Sequence, residues 1–473
     1  MLQIELKKLV EITGAEVLNK TTEIFSGIGT DTRQDLRGFL FIALKGESFD
    51  AHDFLLNAEK QGASGVLIHE ENAQTEELKS RITVLKVKDT LKALQEIGTW
   101  ARLQSKAKIV AITGSNGKTT TKEFTAALIG TVRNVHFNQG SFNNHWGVPF
   151  TLMQMPPSAE VAVVEMGMNH AGELTELVQI AQPDVVVCTT VGRAHMEFFG
   201  TLEKVAEAKE EIYLHAPQAA KQIFNLDNEQ THKMYERALQ RLPKEQIQTF
   251  STKNAKADVY LQIESMTMES LTIKGQIQGV SGSVKVEVFG VQNLINLMAA
   301  ASLGLSVGMT PAEIWKGLEK CKTNWGRNQL VHLKSGARMI FDAYNANPDS
   351  MRALIDNMEL VKTLGRKVGV FGQMRELGST SAELHQELGQ WVGSAGFDRV
   401  YFIGDDHSAF AEGLKKSGYK ADSSIAKDYS DSAGNDLAAF LKPEDVVVVK
   451  ASRGTKLERF VFPCEPLDFA PKQ

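Results

Sequence analysis
The sequence predicts an α/β protein built from three domains. An apolar, β-favouring run from Ile109 to Ile112 enters a glycine-bearing loop and then Gly-Lys-Thr at a helix start. Short apolar strands recur at α/β spacing before and after a small patch of alternating character. A chain of 473 residues is also too long for one core. Boundaries near 105 and 323 divide it into 1–105, 106–322 and 323–473.

In the first part, Gly38–Leu44 reads as a buried strand ending in a turn at Lys45-Gly46, and Gln61–Ile68 repeats the turn-then-strand theme. A helical pattern through Leu91–Leu103 leads into the loop-bearing strand. The second part has strands at Ile109–Ile112, Val161–Val164, Val185–Cys188 and Ile223–Asn225 with helix-compatible segments between, which predicts a mostly parallel sheet. Asp258–Phe289 alternates Val, Ile, Leu and Thr with Gly and Ser, the pattern of a small antiparallel patch. Gly290–Leu305 is helical again. A second α/β rhythm follows Thr323, with strands at Met339–Phe341, Val368–Phe371, Val400–Ile403 and Val446–Val449. No GxGxxG follows any of them, so a dinucleotide fold is not indicated.

The bulk numbers exclude several function classes. The chain is 42% hydrophobic and 23% charged, an ordinary globular composition, and its net charge of −5 gives no basic footprint for nucleic acid. Anionic substrates must therefore be met by local Lys and Arg. Cys188, Cys321 and Cys464 lie far apart without a CxxC pair, which fits reduced, structural thiols and a cytoplasmic setting. The stretch MLQIELKKLVEITG lacks a long apolar segment, and no 18-residue apolar run occurs, so neither secretion nor a membrane span is expected.

The richest stretch for chemistry is Ile109–Thr121. Backbone N–H groups of Gly114, Ser115, Asn116 and Gly117 can point at phosphate oxygens, and the glycines permit close approach. Lys118 can reach the β/γ-phosphates, Thr119 can hold Mg²⁺, and Thr120 follows in the same first turn. The common phosphate loop has a further glycine where this chain has Ile112. Glu165 ends an apolar strand and is followed by Met166-Gly167, as a strand-end acid holding the nucleotide's Mg²⁺ would be, although a loop or capping carboxylate has the same signature. His195 leaves the next strand at the same sheet edge. Lys209 lies in a strongly helical stretch, where the plain reading is a solvated charge face. Near the other end, Asp342-Ala343-Tyr344-Asn345-Ala346-Asn347-Pro348 is a strand end running into an amide-rich loop, with Ser350 able to start a helix. Such a loop can read a substrate or be an Asx turn.

Together these motifs resemble the ATP-dependent Mur ligase family of bacterial cell-wall synthesis, over the whole chain and in order. Its central signature is matched by Thr113-Gly114-Ser115-Asn116-Gly117-Lys118-Thr119, which also lacks the first phosphate-loop glycine. Asn143-Asn144 before Gly147-Val148-Pro149, Glu165-Met166-Gly167 and Gly192-Arg193-Ala194-His195-Met196-Glu197 match its downstream motifs. The resemblance implies a UDP-substrate domain, a central ATP domain and a C-terminal Rossmann-like domain that receives the incoming amine. It implies ATP and two Mg²⁺ ions, held by Thr119, Glu165, His195 and Lys209, the last similar to a lysine carbamylated in related ligases. Gly290-Val291-Gln292-Asn293 with Asn296 resembles the adenine-contacting segment, with Gln292 where many members carry His. Gly326-Arg327 resembles a Gly-Arg motif, preceded here by Trp325, and Asp342 joins the nucleotide set. Thr30, Asp31, Arg33 and Lys45 would meet the UDP substrate with Asn143 and Asn144, although the family's Asp-Gly-His is Asp50-Ala51-His52 here.

Asn345 and Asn347 match the branch that adds D-alanyl-D-alanine to a UDP-MurNAc-tripeptide. The Asp-Asn-Pro-Arg of the diamino-acid-adding branch is absent, and Lys450-Ala451-Ser452-Arg453 stands where Lys-Gly-Ser-Arg is usual. The resemblance thus implies a small-molecule ligase of peptidoglycan synthesis, active as a monomer. A diamino-acid or polyglutamate-type ligase and a nucleotide-gated binding module are the rivals.

Overall fold
The computed structural model describes residues 3–46 and 49–470; Met1 and Leu2 of the N-terminal stretch lie outside the described residues. The chain is mixed α/β with mostly parallel sheets. It gathers into two compact units, one of residues up to Ile112 with Arg133–Val186 and Glu211–Ala220, the other of Thr113–Val132, Val187–Glu210 and Lys221 onward.

In the first unit a five-stranded sheet takes the order Glu16–Asn19, Thr83–Lys86, Gly65–Ile68, Phe39–Ile42, Gly27–Gly29. Its pairs are parallel except at the Glu16–Asn19 edge. Gly65–Ile68 is buried throughout, as a strand covered on both faces should be. The helix Thr90–Gln104 starts where Asp89 accepts from the backbone N–H of Leu91 and Lys92, which satisfies two of the four orphan donors of its first turn. Val161–Glu165 lies parallel to Val135–Phe137 on one side and to Lys108–Ile112 on the other. That register puts Glu165 beside Ile112, two residues before the glycine loop begins.

In the second unit the helix Lys118–Ile129 packs against Gln292–Ser306, whose thirteen buried residues make it a core helix all round. Lys221–Asn225 pairs parallel with Ile247–Ser251, and the expected antiparallel patch is the meander Val259–Met266, Leu271–Ile277, Val280–Val286. A six-stranded sheet follows in the order Gln329–His332, Arg338–Asp342, Val446–Lys450, Lys367–Gly372, Arg399–Ile403, Asp422–Ala426. Only its first pair is antiparallel. Val446 to Val449 are wholly buried at its centre, which is why they stand out as an unbroken apolar run.

An ion pair ties this sheet's lower end. Asp445 is buried and accepts from the backbone N–H of Arg366 and of Lys442, each at 2.8 Å, while the Arg366 guanidinium also reaches it. Burial alone would raise this carboxyl, but the Arg366 side chain and the two N–H groups outweigh it and hold it below its ordinary value. A depressed carboxyl contributes stability above its unfolded pKa of about 3.9 and loses it as pH falls through the folded value. Asp445→Asn is therefore expected to cost about 1–3 kcal/mol near pH 7 and to shrink the difference from wild type as pH falls below about 4. Thermal unfolding of both proteins across that range checks it, and an unchanged gap at low pH contradicts it.

Candidate active site
The strand Lys108–Thr113 delivers a loop whose backbone departs from ordinary geometry at two glycines. Gly114 has φ +149° and Gly117 φ +81°. A Cβ on Gly114 would lie 2.0 Å from Thr189 Oγ1, and one on Gly117 would lie 2.2 Å from Asn296 Oδ1, so both positions need glycine for space as well as for φ. Ser115 N–H donates to Thr190 O (2.7 Å), and Thr189 Oγ1 donates to Asn116 O (2.6 Å). The loop is thus laced to the segment after Val185–Cys188 before any ligand arrives. Lys118 Nζ donates to Gly114 O at 2.8 Å, which arches the side chain back over the loop at the helix N-terminus. Thr119 and Thr120 are half-buried in that first turn. Gly117→Ala is expected to weaken ADP binding at least tenfold, because Asn296 must be displaced; calorimetric titration with wild-type affinity would contradict this.

Asn293 and Asn296 are buried beneath this loop. Asn296 Nδ2 donates to Asn293 Oδ1 (2.9 Å), Asn293 Nδ2 to Phe289 O (2.7 Å), and Thr121 Oγ1 to Asn296 Oδ1 (3.2 Å). The preceding Gln292 is held by Asn357, whose Nδ2 donates to Gln292 Oε1 at 2.6 Å while its Oδ1 accepts from Val291 N–H.

Lys209, His195 and Arg327 lie near the loop's Lys118 and Thr119. Lys209, on the helix Leu202–Leu214, is 1% exposed, so the solvated charge face that its sequence suggests is not what forms. Burial pulls its amine down to about 7, with the Lys118 charge pushing the same way and Cys188 opposing. Burial likewise raises the Cys188 thiol to about 11. His195 stands in a left-handed conformation (φ +59°), with Nδ1 2.8 Å from Glu376 Oε2. Burial lowers its imidazole, Glu376 opposes, and Lys118 and Lys209 add to the lowering, so it is neutral at pH 7. Arg327 Nη2 donates to Thr119 Oγ1 (3.3 Å), and its guanidinium lies over the Tyr344 ring at 4.3 Å.

The amide-rich loop reaches the same place. Asn347 Nδ2 donates to Asn116 Oδ1 at 2.8 Å, and Asp349 accepts from Arg193 N–H (2.7 Å) and Arg193 Nε (3.0 Å). The helix there begins at Pro348 rather than Ser350, because Asn347 is its N-cap, accepting from Ser350 N–H. Asn345 stays in the loop, its carbonyl accepting from Lys450 Nζ (3.0 Å). Asp342 is buried and paired with Lys450 (2.6 Å) while Asn328 N–H donates to it (3.2 Å).

The remaining candidates lie in the first unit. Glu165 is 1% exposed; Asn143 Nδ2 donates to its Oε1 at 2.7 Å, and its backbone is clasped by Asn138. Asn144 Oδ1 accepts from the N–H of Gly147, the first residue of the helix Gly147–Met153. Asp31 and Arg33 form an exposed local pair, Thr30 precedes them, and Lys45 bridges Asp50 and Glu70. Sequence reasoning passed over Glu376, Asp349 and Asn357. Each is a common residue type whose partner lies over 60 positions away, so no local spacing marks it.

Comparison with known proteins places the chain in a class, the ATP-dependent ligases of the Mur type. Models of the family match residues 24–99 (Mur ligase family, catalytic domain), 112–304 (Mur ligase middle domain) and 326–453 (Mur ligase, glutamate ligase domain). The chain belongs to the Mur ligase family. It is 35% identical to the UDP-N-acetylmuramoyl-tripeptide–D-alanyl-D-alanine ligase of Bacillus subtilis (strain 168), across 98% of each chain. It is similar to a crystal structure of MurF from Acinetobacter baumannii (TM-score 0.86, 28% identity, 98% of both chains). It is also similar to MurF of Thermotoga maritima in complex with ADP (TM-score 0.77, 25% identity, 94% of this chain and 97% of that one).

Proposed function
We propose that this protein joins D-alanyl-D-alanine to UDP-MurNAc-tripeptide with hydrolysis of ATP to ADP and phosphate, the last peptide addition to a peptidoglycan precursor. The observation that carries it is the Asn347–Asn116 hydrogen bond, which sets the loop assigned to the dipeptide against the loop assigned to the triphosphate. The names and full-length coverage of its relatives favour this branch over the diamino-acid-adding one. The domain assignment stays with it: 1–105 for the UDP substrate, 106–322 for ATP, 323–473 for the dipeptide. Thr30, Asp31, Arg33, Lys45, Asn143 and Asn144 serve the first substrate, and Asn345 and Asn347 the second.

The tripeptide's terminal carboxylate oxygen attacks the γ-phosphorus and ADP leaves, giving an acyl phosphate. The dipeptide's neutral amine attacks that carbonyl carbon, and phosphate departs as the nitrogen gives up its extra proton. Anions crowd together in both steps, so charge neutralisation should dominate. Lys118 and Arg327 supply it from the chain, with backbone N–H groups of Asn116, Gly117 and Lys118 fixing the phosphates, while that of Ser115 is spent on Thr190 O. Asn293 and Asn296 prop the loop from below, and Asp342, through Lys450, fixes the base of the dipeptide loop.

The donor set suits Mg²⁺ in part. Thr119 and the buried Glu165 offer the oxygen ligands that ion prefers, and His195 adds a neutral nitrogen. Lys209 as an amine does not fit beside a cation; as a carbamate it would add two oxygens. Bound Mg²⁺ would screen the phosphate charges. No helix among the described residues is long and apolar enough to cross a membrane. A cytoplasmic monomer is part of the same proposal, since the precursor and ATP are both small soluble molecules.

Phosphate release from Mg-ATP and UDP-MurNAc-tripeptide should require D-alanyl-D-alanine and yield UDP-MurNAc-pentapeptide. Release only with a UDP-MurNAc-dipeptide and a diamino acid would move the protein to the preceding step, and no release in either mixture would leave a binding module.

A further inference from the structure
We propose that the segment 465–470 is a positioning element of the active site: it clamps Trp325 and thereby sets the turn that aims Arg327 at the phosphate loop. The inference rests on Arg327 meeting the phosphates, as proposed above.

The segment runs antiparallel to the end of the edge strand Gln329–His332. Leu333 and Pro466 form an antiparallel bridge, Leu467 N–H donates to His332 O (2.8 Å), and Lys334 N–H donates to Glu465 O (3.1 Å). Side chains fasten the same register. Asp468 accepts from His332 N–H at 2.8 Å, its other oxygen lies 2.6 Å from His332 Nδ1, and Lys334 Nζ pairs with Glu465 at 2.9 Å. These pairs are exposed and hold little by themselves. The stronger grip is aromatic. Phe469 packs edge-on against Phe341, ring centroids 4.9 Å apart, and lies 6.0 Å from Trp325, which itself stands edge-on to Phe341 at 5.2 Å. The Trp325 indole can only donate, and Ala470 O accepts its Nε1–H at 3.0 Å. The Arg453 guanidinium lies 4.8 Å from the same ring.

The turn begins at the next residue. Gly326 has φ +70°, a Cβ there would meet Tyr344 Cβ at 3.2 Å, and Tyr344 N–H donates to Gly326 O (3.2 Å). Arg327 N–H donates to Asn324 O (3.0 Å), and Asn328, at φ +49°, gives its N–H to the buried Asp342. Arg327 thus starts from a backbone pinned on both sides, and its contacts with the Tyr344 ring and Thr119 Oγ1 follow from that placement. A shift of about 1 Å at a charged group can cost a reaction about 100-fold, so what holds Trp325 bears on what Arg327 can do.

The test is a double-mutant cycle in the full chain, with Phe469→Ala and Trp325→Phe made singly and with Arg327→Ala. Phe469→Ala should lower kcat for phosphate release about 10–100-fold, and Trp325→Phe, which loses the N–H but keeps a ring, about threefold to tenfold. In the Arg327→Ala background neither should lower kcat beyond about twofold further, because the group they act through is gone. A segment that only covers the sheet edge would give the same loss with and without Arg327. That additivity would overturn the inference, as would wild-type kcat in both single variants. Should Phe469→Ala fail to fold, Trp325→Phe carries the cycle. The same cycle read as calorimetric affinity for β,γ-methylene-ATP needs no turnover: each single variant should bind about threefold to tenfold more weakly, and the pairs no more weakly than Arg327→Ala alone. A wild-type protein lacking dipeptide-dependent phosphate release would remove the functional reading, and the affinity cycle would still decide this inference.

Discussion
Lys118→Ala should reduce phosphate release by about 10³-fold or more, with ADP binding weakened much less. The side chain sits at the start of the helix Lys118–Ile129 and is held to Gly114 O at 2.8 Å, so its charge is presented at the loop without a search among rotamers. Its stabilisation grows as negative charge builds on the transferred phosphoryl group, whereas the backbone N–H groups of the loop grip the ground-state phosphates equally well in the variant. The effect should therefore fall on kcat more than on KM for ATP. The loop's own fastening, through Ser115, Asn116 and Thr189, does not involve Lys118 and should survive. Steady-state phosphate assays with calorimetric ADP titration check this. Turnover above a tenth of wild type would sink the acyl-phosphate reading.

Lys209→Ala should be the second severe lesion, with turnover down about 10²-fold or more, and the carbamate proposed for Lys209 would give a chemical signature that a merely structural lysine lacks. A buried lysine amine beside a second lysine is held near neutral, and the neutral form is the one that adds CO₂. The nitrogen lone pair attacks the carbon of CO₂ and a proton leaves, giving a carbamate that carries one negative charge. An anion there would balance Lys118, and its formation should rise with pH through about 7 and with bicarbonate. Protein prepared with ¹³C-bicarbonate should show one carbamate carbon that is missing in the alanine variant. Degassed, bicarbonate-free buffer should lower turnover, and bicarbonate should restore it. Absence of the signal together with full turnover in CO₂-free buffer would remove the carbamate and return Lys209 to a structural role.

The two lysines show how differently a site can be written in a sequence. Lys118 is legible because its chemistry needs neighbours in the chain: a strand, two glycines and a helix start within a dozen residues. Lys209 has the local pattern of an exposed charged helix, and only the packing around it makes it a buried amine. Strands followed the same division. The continuous apolar runs Val161–Val164 and Val446–Val449 are plain from composition and lie within the strands Val161–Glu165 and Val446–Lys450. Gln329–His332 and Asp422–Ala426 are not, because partly exposed strands mix polar and apolar residues and carry a weak period, nor is Ile247–Ser251, a largely buried strand that carries Gln248, Thr249 and Ser251. The helix start at Pro348 also escaped, since an Asn that caps and an Asn that only turns read alike until the Ser350 N–H is in place.

By itself the sequence determined the α/β class, the phosphate loop, the strand-end glutamate and histidine, and the family to which these motifs belong. Each is a short-range pattern, in which residue type and spacing along the chain fix the backbone geometry. The tertiary structure alone decided which distant residues serve them: Glu376 at His195, Asn347 at Asn116, Asp349 at Arg193 and Asn357 at Gln292. Those contacts join positions 65 to 231 residues apart, or farther than any helix or strand period can express. They come into being only when burial of the sheets and helices brings separate loops to one edge, where unpaired hydrogen-bonding groups must find each other or remain with water.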